Sequence, residues 1–146
     1  MIILLSLCCL FPGCIRPPMP AECKEFFSLP LDQRGKVIST YSLEKQLRLY
    51  RCGLDRRPPD RYLARYIADR GEDAVPVLLQ RLETEKDELL QYGIIEIFEA
   101  MSSKGHLRNR SDVITRIRTV VAHMKISTFR EMAQEDLNRI EKNSIG

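Results

Sequence analysis

From Ser42 to Lys142 the apolar residues recur every three or four positions, and this spacing constrains the fold more than any other feature of the chain. Leu43, Leu47 and Tyr50 share one helical face behind Ser42, a good N-cap, with Gly53 placed as the stop. The segment DRRPPDRYLARYIADRG opens on prolines and closes on Gly71, the asymmetry expected of a helix, and spaces Tyr62, Leu63, Tyr66 and Ile67 accordingly. Val75, Leu78, Leu79 and Leu82 make the next helix one-sided, with Pro76 in its first turn where a missing N–H costs little. Residues 86–101 predict a longer, central helix carrying Leu90, Ile94, Ile95, Ile97, Phe98 and Met101. Ser111 is expected to cap a helix with Val113, Ile117, Val120, Val121 and Met124 inside, and 128–142 to place Phe129, Met132, Ala133, Leu137 and Ile140 together. Shorter helices are expected over 21–27 and 32–40. No segment alternates apolar and polar residues as a strand would, so the fold class is all-α.

The amino-terminal end differs in kind. Ile2 to Phe11 is an unbroken apolar or small run of about ten residues, closed by Pro12 and Gly13; a membrane-spanning helix needs about 20. That length suits the apolar core of a secretory signal peptide, although no Lys or Arg precedes it. The run ends in LFPGC, Leu10 to Cys14, which resembles the lipobox of bacterial lipoproteins. Gly13 and Cys14 match the two most restrictive places of that motif, Leu10 or Phe11 supplies the apolar one, and Pro12 departs from the usual residues. The resemblance implies cleavage before Cys14 and acylation of its thiol. Ile15 is not the Asp that favours inner-membrane retention in that family, which points to the outer membrane where one exists. Ile15 to Pro20 then reads as an extended, proline-stiffened tether.

Cysteine parity agrees with export. Of five cysteines, Cys8 and Cys9 would leave with the leader and Cys14 would carry lipid, so Cys23 and Cys52 remain to pair in an oxidising compartment. Their loop of about 29 residues corresponds to roughly 3.5 kcal/mol in the chain-entropy description. Residues 1–13 are therefore expected to be a signal peptide, 14–22 a lipidated Cys and tether, and 23–146 a single helical domain. A 146-residue chain has room for one such domain, and 44% hydrophobic with 29% charged residues is ordinary for a globular body.

Gly71 to Met101, GEDAVPVLLQRLETEKDELLQYGIIEIFEAM, resembles a HEAT-type repeat: a helix opening with AVPVLL, a tight polar turn at 84–87, and an apolar second helix. Asp87 lies near the turn where the family often has Asp, and Gln91 replaces the basic residue usual shortly after it. The resemblance implies a short α-α superhelix of HEAT-like pairs that binds partners along one surface; the alternative is an irregular helical bundle.

Chemistry-bearing motifs are scarce. His106 and His123 lack ligand spacing, no HExxH, GxSxG or phosphate-cradling glycine loop occurs, and no CxxC completes a metal set. The pairs Glu83/Asp87 and Glu131/Glu135 read as solvated helix faces. No catalysis, metal, cofactor or small-molecule substrate is expected. A formal charge of +3, from 23 basic and 20 acidic residues spread along the chain, does not predict nucleic-acid binding.

The most suggestive surface lies in LRLYRCGLDRRPPDRYLARY. Arg48, Arg51, Arg56, Arg57, Arg61 and Arg65 interleave with Tyr50, Tyr62 and Tyr66, a combination suited to an acidic protein partner or lipid headgroups, with Arg57, Arg61, Arg65, Tyr62 and Tyr66 as the candidate binding surface. The competing arrangement puts the tyrosines in the core and leaves the arginines solvated or paired with Asp55, Asp60 and Asp69. The expected function is thus a non-catalytic lipoprotein, exported and anchored in the cell or outer membrane through lipid on Cys14, facing the periplasm and binding a protein partner. The alternative is a soluble periplasmic, disulfide-bonded inhibitor or immunity-type protein.

Overall fold

The structure, a computed structural model, describes residues 18–144. The leader, the LFPGC stretch with Cys14, and the first part of the tether lie outside the described residues. Among those described there are eight α-helices and no strand: α1 (Ala21–Ser28), α2 (Leu31–Ser39), α3 (Leu43–Leu54), α4 (Leu63–Ala68), α5 (Val75–Thr84), α6 (Glu88–Ser103), α7 (Ser111–His123) and α8 (Ser127–Ser144). A 3₁₀ turn, Gly71–Ala74, leads into α5. The all-α class read from the periodicity is the class observed.

Helix α6 is the hub. Most of its residues are buried, because α3, α4, α5 and α8 all pack on it. An all-round apolar helix must be enclosed on every side. Its most extensive neighbour is α8, which also packs against α7, while α1 lies on α3 and α2 on α4. Close approach to α3 depends on Gly93: a Cβ there would sit 2.6 Å from Leu54 Cδ1 and 3.1 Å from Tyr50 Cε1.

The joint between α5 and α6 is a short turn closed by side chains. Asp87 caps α6, its carboxylate accepting from the Leu89 N–H at 3.0 Å. Glu85 accepts from the Lys86 and Asp87 N–H groups at 2.8 and 3.0 Å. Gln91 Nε2 donates to the carbonyls of Leu82 and Glu85 at 3.3 and 3.0 Å, satisfying oxygens that the end of α5 leaves open. An amide can therefore do at position 91 what terminating the turn requires. At its far end α6 stops in a Schellman-type cap: Gly105 has φ +82, its N–H donates to Ser102 O, and the His106 N–H donates to Met101 O.

Cys23 on α1 and Cys52 on α3 form a disulfide with a Cα–Cα distance of 6.3 Å, stapling the first helix to the hub's neighbour. Three local expectations differ from what is observed. Gly53 does not stop α3 but lies inside it, where a Cβ would meet Phe27, Asp60 and Leu63 at 3.2 to 3.4 Å. The helix after it does not begin at Pro58 and Pro59 but at Leu63, because the N–H groups of Arg56 and Asp60 both fold back to Gly53 O and hold 55–62 as a loop. Ser111 is the first residue of α7 rather than a side-chain cap.

Candidate functional site

The segment leading into α4, together with α6 and α8, walls an open cleft of about 560 Å³. Its floor is polar although α6, on which it lies, is largely apolar. Glu96, on the buried face of α6, accepts from the Tyr50 hydroxyl at 2.7 Å through Oε2 and from Arg61 through Oε1. Arg61 also donates to the Tyr92 hydroxyl and lies over the Tyr92 ring, 5.4 Å from its centroid. Tyr92 in turn stacks on Phe129 of α8, with ring centroids 6.2 Å apart and planes 6° from parallel. A half-exposed guanidinium is thus fixed by a buried carboxylate beneath it and an aromatic layer beside it. Burial, reinforced by the Glu96 charge, pushes the Tyr50 and Tyr92 phenols up, so both stay protonated.

Asp136 on α8 is the second buried carboxylate of the cleft, with 4% of its side chain exposed. Its Oδ1 accepts from Arg139, one turn along, and its Oδ2 is buried without a partner. Burial pushes its carboxyl up to about 6; the neighbouring Glu96 adds to the rise, and Arg139 and Arg61 oppose it. Lys104 and Arg65 complete the rim. Lys104 pairs with Asp69 and donates to the Arg65 carbonyl at 3.0 Å. The Arg65 guanidinium has no ion pair or hydrogen bond among the described residues.

The residues singled out in the sequence divide between two adjoining surfaces. Arg61, Tyr62 and Arg65 line the polar cleft. Arg57 and Arg61 line a neighbouring groove of about 360 Å³ with Leu54, Leu89, Tyr92, Phe129 and Met132. Arg61 is the wall between them. Tyr66 belongs to neither: its ring lies against Gly35 of α2, packed edge-on to Tyr62 at 6.5 Å, and is 37% exposed. Tyr62 is half-buried, and burial pushes its phenol up. Of the acids expected to neutralise this stretch, Asp55 holds Arg51 and Asp60 holds Arg56 within it, Asp60 also pairing with Arg34, while Asp69 holds Lys104 instead. Arg57, like Arg65, is left without an acid among the described residues.

Glu96, Asp136 and Arg139 are the site residues that sequence reasoning missed. Their signal was available: Asp136 stands three residues after Ala133 and four before Ile140, on the apolar face of α8, and Glu96 stands between two buried isoleucines. The histidines remain apart from the cleft, His123 with Nδ1 2.7 Å from Thr119 O and His106 beside Gly71. No group of three or more metal-ligating side chains occurs among the described residues, and none of their helices is long and apolar enough to cross a membrane.

Fold and site together define a disulfide-stapled, all-α domain with a charged cleft over its central helix. No family model, no curated protein and no solved structure matches the chain.

Proposed function

We propose that this chain is a non-catalytic lipoprotein of the bacterial cell envelope, tethered through Cys14, whose helical domain holds a protein partner at the cleft and the arginines beside it. The observation that carries the reading is the Cys23–Cys52 bridge, since structural disulfides persist in oxidising compartments and are rare in the cytosol. It supports export independently of the LFPGC stretch, and only the latter supports the lipid. Arg57 and Arg65, cationic forks without acids of their own, support an acidic partner surface. The partner-binding helical array implied by the HEAT-type resemblance is consistent with the α5–α6 pair and its side-chain-closed turn.

The test is the intact mass of the full-length product recovered from membranes of a bacterial host, with and without reductant. Cleavage before Cys14 with added acyl chains, and a gain of two hydrogens on reduction, is the expected result. An unacylated chain beginning after Cys14 would sink the tether and leave the soluble periplasmic inhibitor as the reading.

A further inference from the structure

Four cationic side chains face the α4–α6–α8 cleft, Arg61, Arg65, Lys104 and Arg139, against three carboxylates, Glu96, Glu99 and Asp136. They are not equally engaged. Arg61 is locked by Glu96 and the Tyr92 ring, and Lys104 by Asp69. Arg65 is unpaired. Arg139 is held by Asp136, with Glu99 more distant at 3.8 Å. Everything therefore turns on Asp136, whose second oxygen is buried with no donor to answer it. The charged and titratable groups around it are few. Arg61 comes from the α4 side, Tyr92 and Glu96 from α6, and Arg139 from its own helix. When Asp136 is ionised it retains Arg139. Protonated, it loses the charge that held Arg139, and the cationic surplus of the cleft rises from one to two.

We propose that this cleft is a binding site for a carboxylate presented by an acidic segment of a protein partner, gripped by the Arg65 and Arg139 forks, and that Asp136 is the positioning residue that holds or releases Arg139. It rests on the reading of the domain as a partner-binding module and names the chemistry that module recognises. Two planar guanidinium forks match the two oxygens of a carboxylate, and a cleft of this size admits a side chain rather than a folded surface. Because burial carries the Asp136 carboxyl up to about 6, below its titration Arg139 keeps only the more distant Glu99, at 3.8 Å, and above it Asp136 retains it as well. Binding strengthens as pH falls through that value, while the glutamate side chains of the ligand, which titrate near about 4.3, are still largely ionised at about pH 5.5.

The test is calorimetric titration of the full chain in detergent with hexaglutamate, at about pH 5.5 and about pH 7.5 and constant ionic strength. Wild type is expected to bind about fivefold more tightly at the lower pH, the gain of one partly exposed ion pair. Asp136→Asn, which keeps an acceptor for Arg139 without the charge, is expected to bind at the higher pH as wild type does at the lower, and to lose the pH dependence. Arg65→Ala weakens binding at both values. Arg108→Ala, on the loop after α6, changes nothing and controls for overall charge. Unchanged affinity across pH in wild type, weaker binding by Asp136→Asn, or preference for hexalysine would overturn the proposal. Displacement of the peptide by equimolar inorganic phosphate would reassign the site to a phosphate ligand. Failure to bind hexaglutamate refutes the cleft while leaving acylation and export to the mass measurement; an unacylated chain that binds with this pH profile refutes the tether alone.

Discussion

Replacing Asp136 by Asn should stabilise the fold at neutral pH and not in acid. The ordinary aspartate value is about 3.9, and in the folded chain burial carries this carboxyl to about 6. Between those values the folded state holds a proton that the unfolded state has released. Stability therefore falls as pH rises through the window, is unaffected by this group below it, and is lowered by the full amount above it. At 1.36 kcal/mol per unit, a rise of about two units corresponds to roughly 3 kcal/mol at neutral pH. With 4% of the side chain exposed, solvent screening reduces that little. Asparagine keeps the acceptor for Arg139 and does not titrate; its unpaired amide N–H adds a cost that is the same at every pH. The assay is urea unfolding with the disulfide intact, followed by circular dichroism, for both proteins from about pH 4 to about pH 7.5. At an m-value of roughly 2 kcal/mol/M the midpoint of the variant should gain about 1 M or more on wild type across that range. Asp112, held down to about 2 by the Arg110 guanidinium, contributes with the opposite sign, its share being lost as pH falls, but it is common to both proteins and cancels. A midpoint difference that stays constant from acid to neutral pH would refute the reasoning, whatever its size.

Replacing Cys23 and Cys52 with serine, or reducing the bridge, should cost about 3.5 kcal/mol for a sequence separation of 29, read as a lower urea midpoint of the reduced protein. Glu96→Ala should be costlier than most core truncations of its size, roughly 3–5 kcal/mol, because it strands the Arg61 guanidinium and the buried Tyr50 hydroxyl together; the same urea assay measures it. Gly93→Ala gains about 1 kcal/mol of helix propensity but drives a Cβ to within 2.6 Å of Leu54, and overpacking of roughly 1–3 kcal/mol should leave the variant less stable. Gly35→Ala is the contrast: the atoms it meets are the far end of the exposed Tyr66 ring, which can swing aside, so thermal melts of the two variants should separate.

The helices were legible because their apolar spacing is a local property. Val75, Leu78, Leu79 and Leu82 declare one face without reference to the rest of the chain, and so do Val113, Ile117 and Val121. What could not be read locally is closure. Arg57, Pro58 and Pro59 look like the start of a helix, yet Asp60 N–H returns to Gly53 O and keeps those residues in a loop. The cysteine pair was legible from parity, which is independent of fold. The arginines were visible as a cluster, and two of their acids are local, Asp55 and Asp60 each pairing with the arginine four residues before it, Arg51 and Arg56; only the loss of Asp69 to Lys104, 35 residues on, needed the tertiary placement. The floor of the cleft was hidden for another reason. Glu96 and Asp136 pass for ordinary surface acids until both apolar faces are drawn; Asp136 then falls in line with Ala133 and Ile140, and burial confirms the difference from the exposed Glu131 and Glu135.

The position of the cleft along α6 bears on how a tethered domain would present it. Pro20, where the described chain enters α1, lies with Cys23, Arg51, Cys52, Asp87 and Leu90, at the amino-terminal end of α6. The cleft begins at Glu96 and runs past the other end of that helix to Lys104. At 1.5 Å per residue, the step from Leu90 to the Glu96–Ser103 span is about 9 to 20 Å along the axis. The disulfide fixes the entering helix to α3 beside this same amino-terminal end, so Pro20 and the cleft keep their separation. A domain hung from Cys14 would carry its cleft at the end of α6 remote from Pro20, which leaves the cleft open to a partner while the chain is anchored. If lipid headgroups were the ligand instead, binding of anionic vesicles would compete with hexaglutamate.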